Sequence, residues 1–246
     1  VVVELFRNLK RGTEYLNYGR DVIASLAAEH CAGLGSEELR VLDIGLGNAE
    51  DILNVSGKVK AGKVSLYGLD SHPPNVERAR EKGIEVCALD VERQSFPFPN
   101  AHFHLVLANQ VLEHTKEIFW IISEVSRVLV PGGAALVGVP NLASLHSRSM
   151  LFLGMQPSPI EVLGPHVRGF TKGGFIRFVT AGGYFEVKRV RGSNFYPFPA
   201  WAAKPLARFF PSHSVSLFFL CVRTAKAGSF IHVLDERFFE TEFFKG

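Results

Sequence analysis

Residues 41–51 read VLDIGLGNAED and place one carboxylate, Asp43, just ahead of two glycines, Gly45 and Gly47. The apolar run RVLDI before the glycines has the character of a short buried strand, and the residues after them open a helix around 49–55. Glycine lets a backbone turn sharply and approach a ligand where a Cβ would collide. A strand that ends in such a turn delivers its carboxyl end to a ligand, as open parallel sheets do. A dinucleotide would ask for a third glycine at the last place of G-x-G-x-x-G, and Glu50 stands there instead. A carboxylate at that helix start repels a pyrophosphate, so the turn argues against NAD.

Asp70 ends a second apolar run, SLYGL at 65–69, roughly 20 residues beyond the turn, where an acid can accept hydrogen bonds from a ribose diol. The competing role is to cap the helix that follows. Asp90, in LDVE, closes a third such run. It too sits where ligands gather in parallel sheets, although a lone surface acid would read the same.

The elements that must carry these residues alternate regularly. Strands are predicted at 40–44, 65–69, 85–89, 104–108 and 134–139, with helices between them. The clearest helix is 116–129, where Ile118, Ile121, Ile122, Val125, Val128 and Leu129 recur at helical spacing, and Pro131-Gly132-Gly133 is expected to stop it. Alternating strands and helices imply parallel βαβ units with helices on both faces. Residues 4–32 read as a leading helix with Leu16, Ile23, Leu26 and Ala27 on one stripe. Thr171 is placed to cap a late helix running to about Ala181. The last strands, near 185–190 and 215–223, are joined without an obvious crossover helix and should pair antiparallel.

Composition narrows the function classes. With 47% apolar and 21% charged residues the chain is neither disordered nor fibrous. A net charge of +3, with both signs interleaved, offers no footprint for nucleic acid. Cys31, Cys87 and Cys221 match no zinc or CxxC spacing and read as buried reduced thiols in a cytoplasmic protein. No basic-then-apolar leader is seen, and no apolar stretch reaches the ~20 residues a membrane span needs.

Taken in order, VLDIGLG, YGLD, ALDVE, HFHLVLANQVLEH and EVSRVLVPGG resemble the successive motifs of class I S-adenosylmethionine-dependent methyltransferases, over about residues 40–140. The VLEH and RVLxPGG pair is most similar to the small-molecule branch that includes ubiquinone-biosynthesis methyltransferases. The resemblance implies a Rossmann-like, seven-stranded, mostly parallel sheet with an antiparallel last strand. It implies a single domain: a helical cap at 1–35, a cofactor half at 36–140, an acceptor half at 141–228 and a tail at 229–246. It departs at Ala49, where the family usually has the third glycine of GxGxG.

The resemblance also assigns roles. Gly45 and Gly47 pass beneath the methionine part of S-adenosylmethionine, with Asp43 ordering the turn and meeting the ammonium group. Asp70 takes both ribose hydroxyls, Asp90 the adenine amino group, and the Val91 amide faces the ring. Asn109 lies beside the sulfonium, and Tyr15 or Tyr18 either closes over the carboxylate or packs in its helix. S-adenosylhomocysteine is the implied product. An acceptor hydroxyl must lose a proton, and His114 is the best-placed base, with His146 and His166 behind it; a structural histidine is the alternative. In some ubiquinone-pathway relatives a Glu-x-x-Glu-His run binds a divalent metal. Here Gln110 replaces the first carboxylate, so no metal is expected and Glu113 is read as structural.

Two segments exceed a minimal fold, 140–171 and 193–214, and loops on a scaffold commonly carry selectivity. The HVRGFT run within the first resembles family scaffold. The second concentrates Phe195, Tyr196, Phe198, Trp201, Phe209 and Phe210 with Lys204 and Arg208. It suits either core packing or an apolar, lipid-linked small-molecule acceptor with weak peripheral membrane contact. The tail, with Phe238, Phe239, Phe243 and Phe244, is expected to dock on the body or on a second subunit of a homodimer.

Overall fold

A computed structural model describes residues 19–33, 37–235 and 239–246. Its elements are α1 (Arg20–Cys31), β1 (Glu38–Ile44), α2 (Glu50–Lys58), β2 (Lys63–Asp70), α3 (Pro73–Glu81), β3 (Glu85–Ala88) and β4 (Phe103–Asn109). There follow α4 (Ile118–Val128), β5 (Leu129–Pro140), α5 (Leu145–Phe152), α6 (Lys172–Val179), β6 (Phe185–Ser193), α7 (Ala200–Phe209) and β7 (Ser216–Arg223). One seven-stranded sheet has the order β3-β2-β1-β4-β5-β7-β6. The pairs among β1 to β5 are parallel, and β7 runs antiparallel to both β5 and β6. This is the Rossmann-like arrangement expected from the sequence, with helices around the sheet.

Strand periodicity builds two cores. Leu42 and Ile44 of β1, Val106 and Ala108 of β4, and Leu217 and Phe219 of β7 face one side, where α4 and α6 pack. Their neighbours Leu39, Val41, Leu105, Leu107, Phe218 and Leu220 face the other, against α1, α2 and α3. Successive side chains of a strand alternate faces, so a two-faced sheet requires apolar residues at every position. That is why these strands read as unbroken hydrophobic runs.

Several boundaries differ from the sequence reading. The leading helix is seen from Arg20 with Ile23, Leu26 and Ala27 buried as expected; the rest of 4–32, including Leu16, Tyr15 and Tyr18, lies outside the described residues. Pro131-Gly132-Gly133 does not form the stop after α4. That helix already ends at Val128, and the proline and glycines loop out inside β5, whose register jumps from Phe103↔Leu129 to Leu105↔Ala134. The connection between the last strands does contain a helix, α7, which the sequence reading placed as a loop. It stacks Ala203 and Ala207 on Phe195 and leaves the antiparallel pairing intact. Pro205 sits inside it and disguised its helical pattern.

Thr171 caps α6 as expected, its hydroxyl accepting from the Gly174 N–H at 3.1 Å. In the tail, Phe239 and Phe243 meet the Phe119 ring and Phe244 meets Trp120, so its described part docks on α4 of its own chain. Phe238 lies outside the described residues. Among the described residues no helix is long and apolar enough to cross a membrane.

Candidate active site

The carboxyl ends of β1, β2 and β4 converge on the turn between β1 and α2. Three residues in a row of alternate positions there, Gly45, Gly47 and Ala49, take left-handed backbone with φ of 70°, 51° and 61°. The first two are glycine, which adopts this region freely, while an alanine there costs about 1–2 kcal/mol. Ala49 therefore occupies the position where a third glycine would be least strained, and it is buried against the α1 side of the sheet. A Cβ added at Gly45 would meet Val111 Cγ2 at 2.8 Å, whereas one at Gly47 would meet open space. The turn is thus roofed on one side by the loop after β4 and open on the other.

Hydrogen bonds lock the turn. The Gly45 N–H donates to the Leu69 carbonyl at 2.8 Å. The Asp70 carboxylate accepts from the Gly47 N–H at 3.1 Å and from Asn75 Nδ2 at 3.0 Å through Oδ2, and from the His72 N–H at 2.8 Å through Oδ1. Asp70 therefore holds the glycine turn and the segment entering α3 together. Oδ2 thus has both its lone-pair sites engaged, while Oδ1 retains one.

Asp43 is buried, and its carboxyl is held well above the usual range, first by burial and then by the nearby charges of Asp51 and Asp70. Asp51 is raised as well, by burial above all. Its carboxylate accepts from Asn109 Nδ2 at 3.1 Å, while Arg20 reaches Glu50 at 3.0 Å and Asp51 at 3.8 Å. Three carboxylates around a turn with open space before it make a cradle for a cation. A cationic group would suit that cradle, and a pyrophosphate would not.

Asp90 stands on the adjoining strand end, where the Leu89 N–H donates to the Asp70 carbonyl at 3.2 Å. It is exposed, accepts from the Glu92 N–H at 2.9 Å, and precedes a half-buried Val91. Asp43, Gly45, Gly47, Asp70 and Asn109 thus form one connected group, with Asp90 and Val91 at its margin.

A second cluster lies in the loop that roofs Gly45. Glu113 is 1% exposed, and neither carboxylate oxygen has a hydrogen-bond partner on another residue. Burial pushes its carboxyl up to about 7. His114, exposed, and His166, half-buried, stack edge to face beside it with centroids 4.7 Å apart. Burial also lowers the His114 imidazole, more than its Nδ1 contact with the Pro165 carbonyl raises it. The two chain segments are laced together: the Val167 N–H donates to the Glu113 carbonyl at 2.9 Å and Arg168 Nη2 to the Lys116 carbonyl at 3.1 Å. His146 lies elsewhere, its ring against Tyr196. Sequence reasoning passed over Asp51, Asn75 and the pairing of Glu113 with His166, since each joins residues without local pattern.

Residues 42–137 match the methyltransferase domain family. The chain is 30% identical over 118 residues to a 27-O-demethylrifamycin SV methyltransferase of Amycolatopsis mediterranei, covering 44% of this chain and 42% of that one. It is 26% identical over 177 residues to a demethylmenaquinone methyltransferase of Chlorobaculum tepidum, covering 63% and 71% respectively. The match thus spans less than half the length of the first relative. A solved SAM-dependent methyltransferase of Archaeoglobus fulgidus shares the fold at a TM-score of 0.55 and 14% identity, covering 90% of this chain and 99% of that one. Residues 42–137 thus match a methyltransferase domain, and the order of the motifs and the sheet topology agree with that match.

Proposed function

We propose that the chain transfers a methyl group from S-adenosylmethionine to an oxygen of a small apolar acceptor. The observation that carries this reading is the acidic cradle of Asp43, Asp51 and Asp70 around a glycine turn roofed by the loop that bears Glu113 and His114. Gly45, Gly47 and Asp43 take the methionine end of the cofactor, Asp70 the ribose, and Asp90 with the Val91 amide the adenine. Asn109, fixed by Asp51, lies beside the sulfonium. The donor is already activated, so holding donor and acceptor in line supplies much of the acceleration. His114 is the group that takes the acceptor's proton. The four segments 1–35, 36–140, 141–228 and 229–246 act as one unit, with acceptor selection in the third.

An oxygen acceptor accords with the 27-O name of the rifamycin relative, and an apolar one with the menaquinone relative. The acceptor half supports it independently. Phe152 is 91% and Trp201 80% exposed, with Leu151, Leu153, Phe209 and Phe210 also open to solvent and Arg148, Lys204 and Arg208 among them. Such a surface suits an apolar acceptor presented at a weakly bound anionic membrane. Free cysteines at Cys31, Cys87 and Cys221 fit a reducing compartment such as the cytoplasm. The test is thermal: S-adenosylhomocysteine at ~100 times its dissociation constant adds about 2.7 kcal/mol and raises the Tm, and NAD does not. A shift with NAD alone ends the reading. Turnover of labelled donor across quinols and phenols then separates an enzyme from a cofactor-binding module that acts through protein contacts.

A further inference from the structure

We infer that Glu113, His114 and His166 form a binding site for a divalent first-row transition ion of the zinc and iron(II) class. One ligand atom from each residue lies within 4.8 Å of the others. The sequence argued against a metal because Gln110 stands where a carboxylate ligand is found in some relatives. The fold supplies a different third ligand, His166, from a segment remote in sequence.

Three features point to an ion rather than to ordinary packing. First, the Glu113 carboxylate is fully enclosed, yet both its oxygens lack a partner on any other residue. A buried carboxylate left unpaired is costly, and a cation beside it removes that cost. Second, the histidines are oriented for ligation. His114 Nδ1 faces the Pro165 carbonyl at 3.3 Å and His166 Nδ1 the Pro159 carbonyl at 2.9 Å. A carbonyl only accepts, so each Nδ1 carries the ring proton and each Nε2 presents its lone pair. An imidazole held through one nitrogen by a backbone carbonyl is the usual outer support of a metal-bound histidine. Third, the two segments are already joined at this point by Val167 to Glu113 and Arg168 to Lys116, so the ligands need not be gathered from solvent.

Two imidazoles and one carboxylate on one side of an ion leave positions open for an exogenous oxygen. Metal–nitrogen bonds of about 2.0–2.1 Å require the ligand atoms to draw closer than they stand. His114 and His166 are not enclosed and can make that adjustment. The role of the site rests on the methyl-transfer reading: an ion held there would polarise an acceptor hydroxyl, whose proton would pass to solvent, and His114 would then serve as a ligand in place of the base. Binding itself does not rest on that reading.

The experiment uses the untagged full chain, stripped with chelator and titrated with cobalt(II), followed by visible absorption, and with zinc by calorimetry. Stoichiometric uptake is expected, with cobalt bands of low-symmetry nitrogen and oxygen ligation. His166→Ala and Glu113→Gln should each weaken uptake by at least ~10–100-fold, and His213→Ala should leave it unchanged. Circular dichroism checks folding, and His114→Ala, at an exposed position, repeats the test if either buried variant fails to fold. Absence of stoichiometric uptake, or uptake indifferent to these variants, overturns the site. S-adenosylhomocysteine affinity measured on the same samples keeps the two ideas apart. Cofactor binding without metal uptake defeats only the metal site, and metal uptake without cofactor binding defeats only the methyl-transfer reading.

Discussion

The Asn109 side-chain amide donates to the Asp51 carboxylate at 3.1 Å and ties the end of β4 to the first turn of α2. Both groups are largely removed from water, so the bond has no ready replacement. Hydrogen bonds to charged groups contribute about 1.5–3 kcal/mol. Asn109→Ala should therefore lower the Tm by several degrees and weaken S-adenosylhomocysteine binding. Asn109→Asp should do worse on stability, because it sets a second carboxylate against Asp51. Denaturant melts of the three proteins check the order, and an aspartate variant as stable as wild type would refute the contact.

Asp43 makes a prediction about pH. Its folded carboxyl sits above the usual value because of burial, Asp51 and Asp70. A group with a raised folded pKa binds more protons in the native state than in the unfolded one. Between the two values stability therefore falls as pH rises, and at neutral pH an ionised Asp43 works against the fold. Asp43→Asn can still accept the Ile52 N–H bond that Asp43 receives. The variant without ligand should melt higher than wild type at pH 7, and the gap should close as pH falls through Asp43's folded pKa. Cofactor affinity should move oppositely, because the variant loses the charge proposed to meet the ammonium. Melts across pH with parallel calorimetry test both halves.

The parts of this architecture with local pattern were legible in the sequence. Buried strands such as β1 and β4 declare themselves by unbroken apolar runs, and Gly45 and Gly47 mark the turn between them and a helix. Helices α5 and α7 did not declare themselves. Leu151 and Phe152 of α5 put apolar residues where solvent is, so that helix shows no amphipathic stripe, and in α7 the Pro205 inside the helix hides a pattern that is two-faced. Contacts closed by the fold left no trace either: Asn109 with Asp51 and Glu113 with His166 join residues from different units. The αL backbone at Ala49 was signalled only by the resemblance, which sets a glycine at that position, since alanine itself gives no hint of it.

The proposed cofactor role of Asp70 is tied to a structural one. Its carboxylate already accepts from Gly47, His72 and Asn75, so Asp70→Ala loosens the glycine turn as well as the ribose contact. Charge-assisted hydrogen bonds of roughly 1.5–3 kcal/mol translate into a fall in S-adenosylhomocysteine affinity of at least about tenfold. The sheet should survive, since its core lies elsewhere. Unchanged affinity by calorimetry would move the ribose contact to another residue.

Helix α7 offers the most direct test of the acceptor surface. Its inner face is anchored by Ala203 and Ala207 on Phe195, which is 6% exposed. Its outer face carries Trp201, Lys204, Pro205 and Arg208, spaced three and four apart and therefore on one side. Trp201 is 80% exposed, so truncating it stays within about 0.5 kcal/mol, and Phe198, 44% exposed with its ring 6.0 Å from that of Phe195, adds only a partial loss of packing. The Trp201→Ala, Phe198→Ala double variant should keep its Tm and its S-adenosylhomocysteine affinity. Co-sedimentation with anionic liposomes and turnover of apolar acceptors should both drop. With few cations on the face, wild-type sedimentation should weaken as salt is raised. Phe195→Ala is the contrast, since a large-to-small change at a buried aromatic costs about 3–5 kcal/mol. If the double variant instead loses several kcal/mol, α7 is held by Trp201 and Phe198 themselves, and its outer face is core rather than a surface for the acceptor.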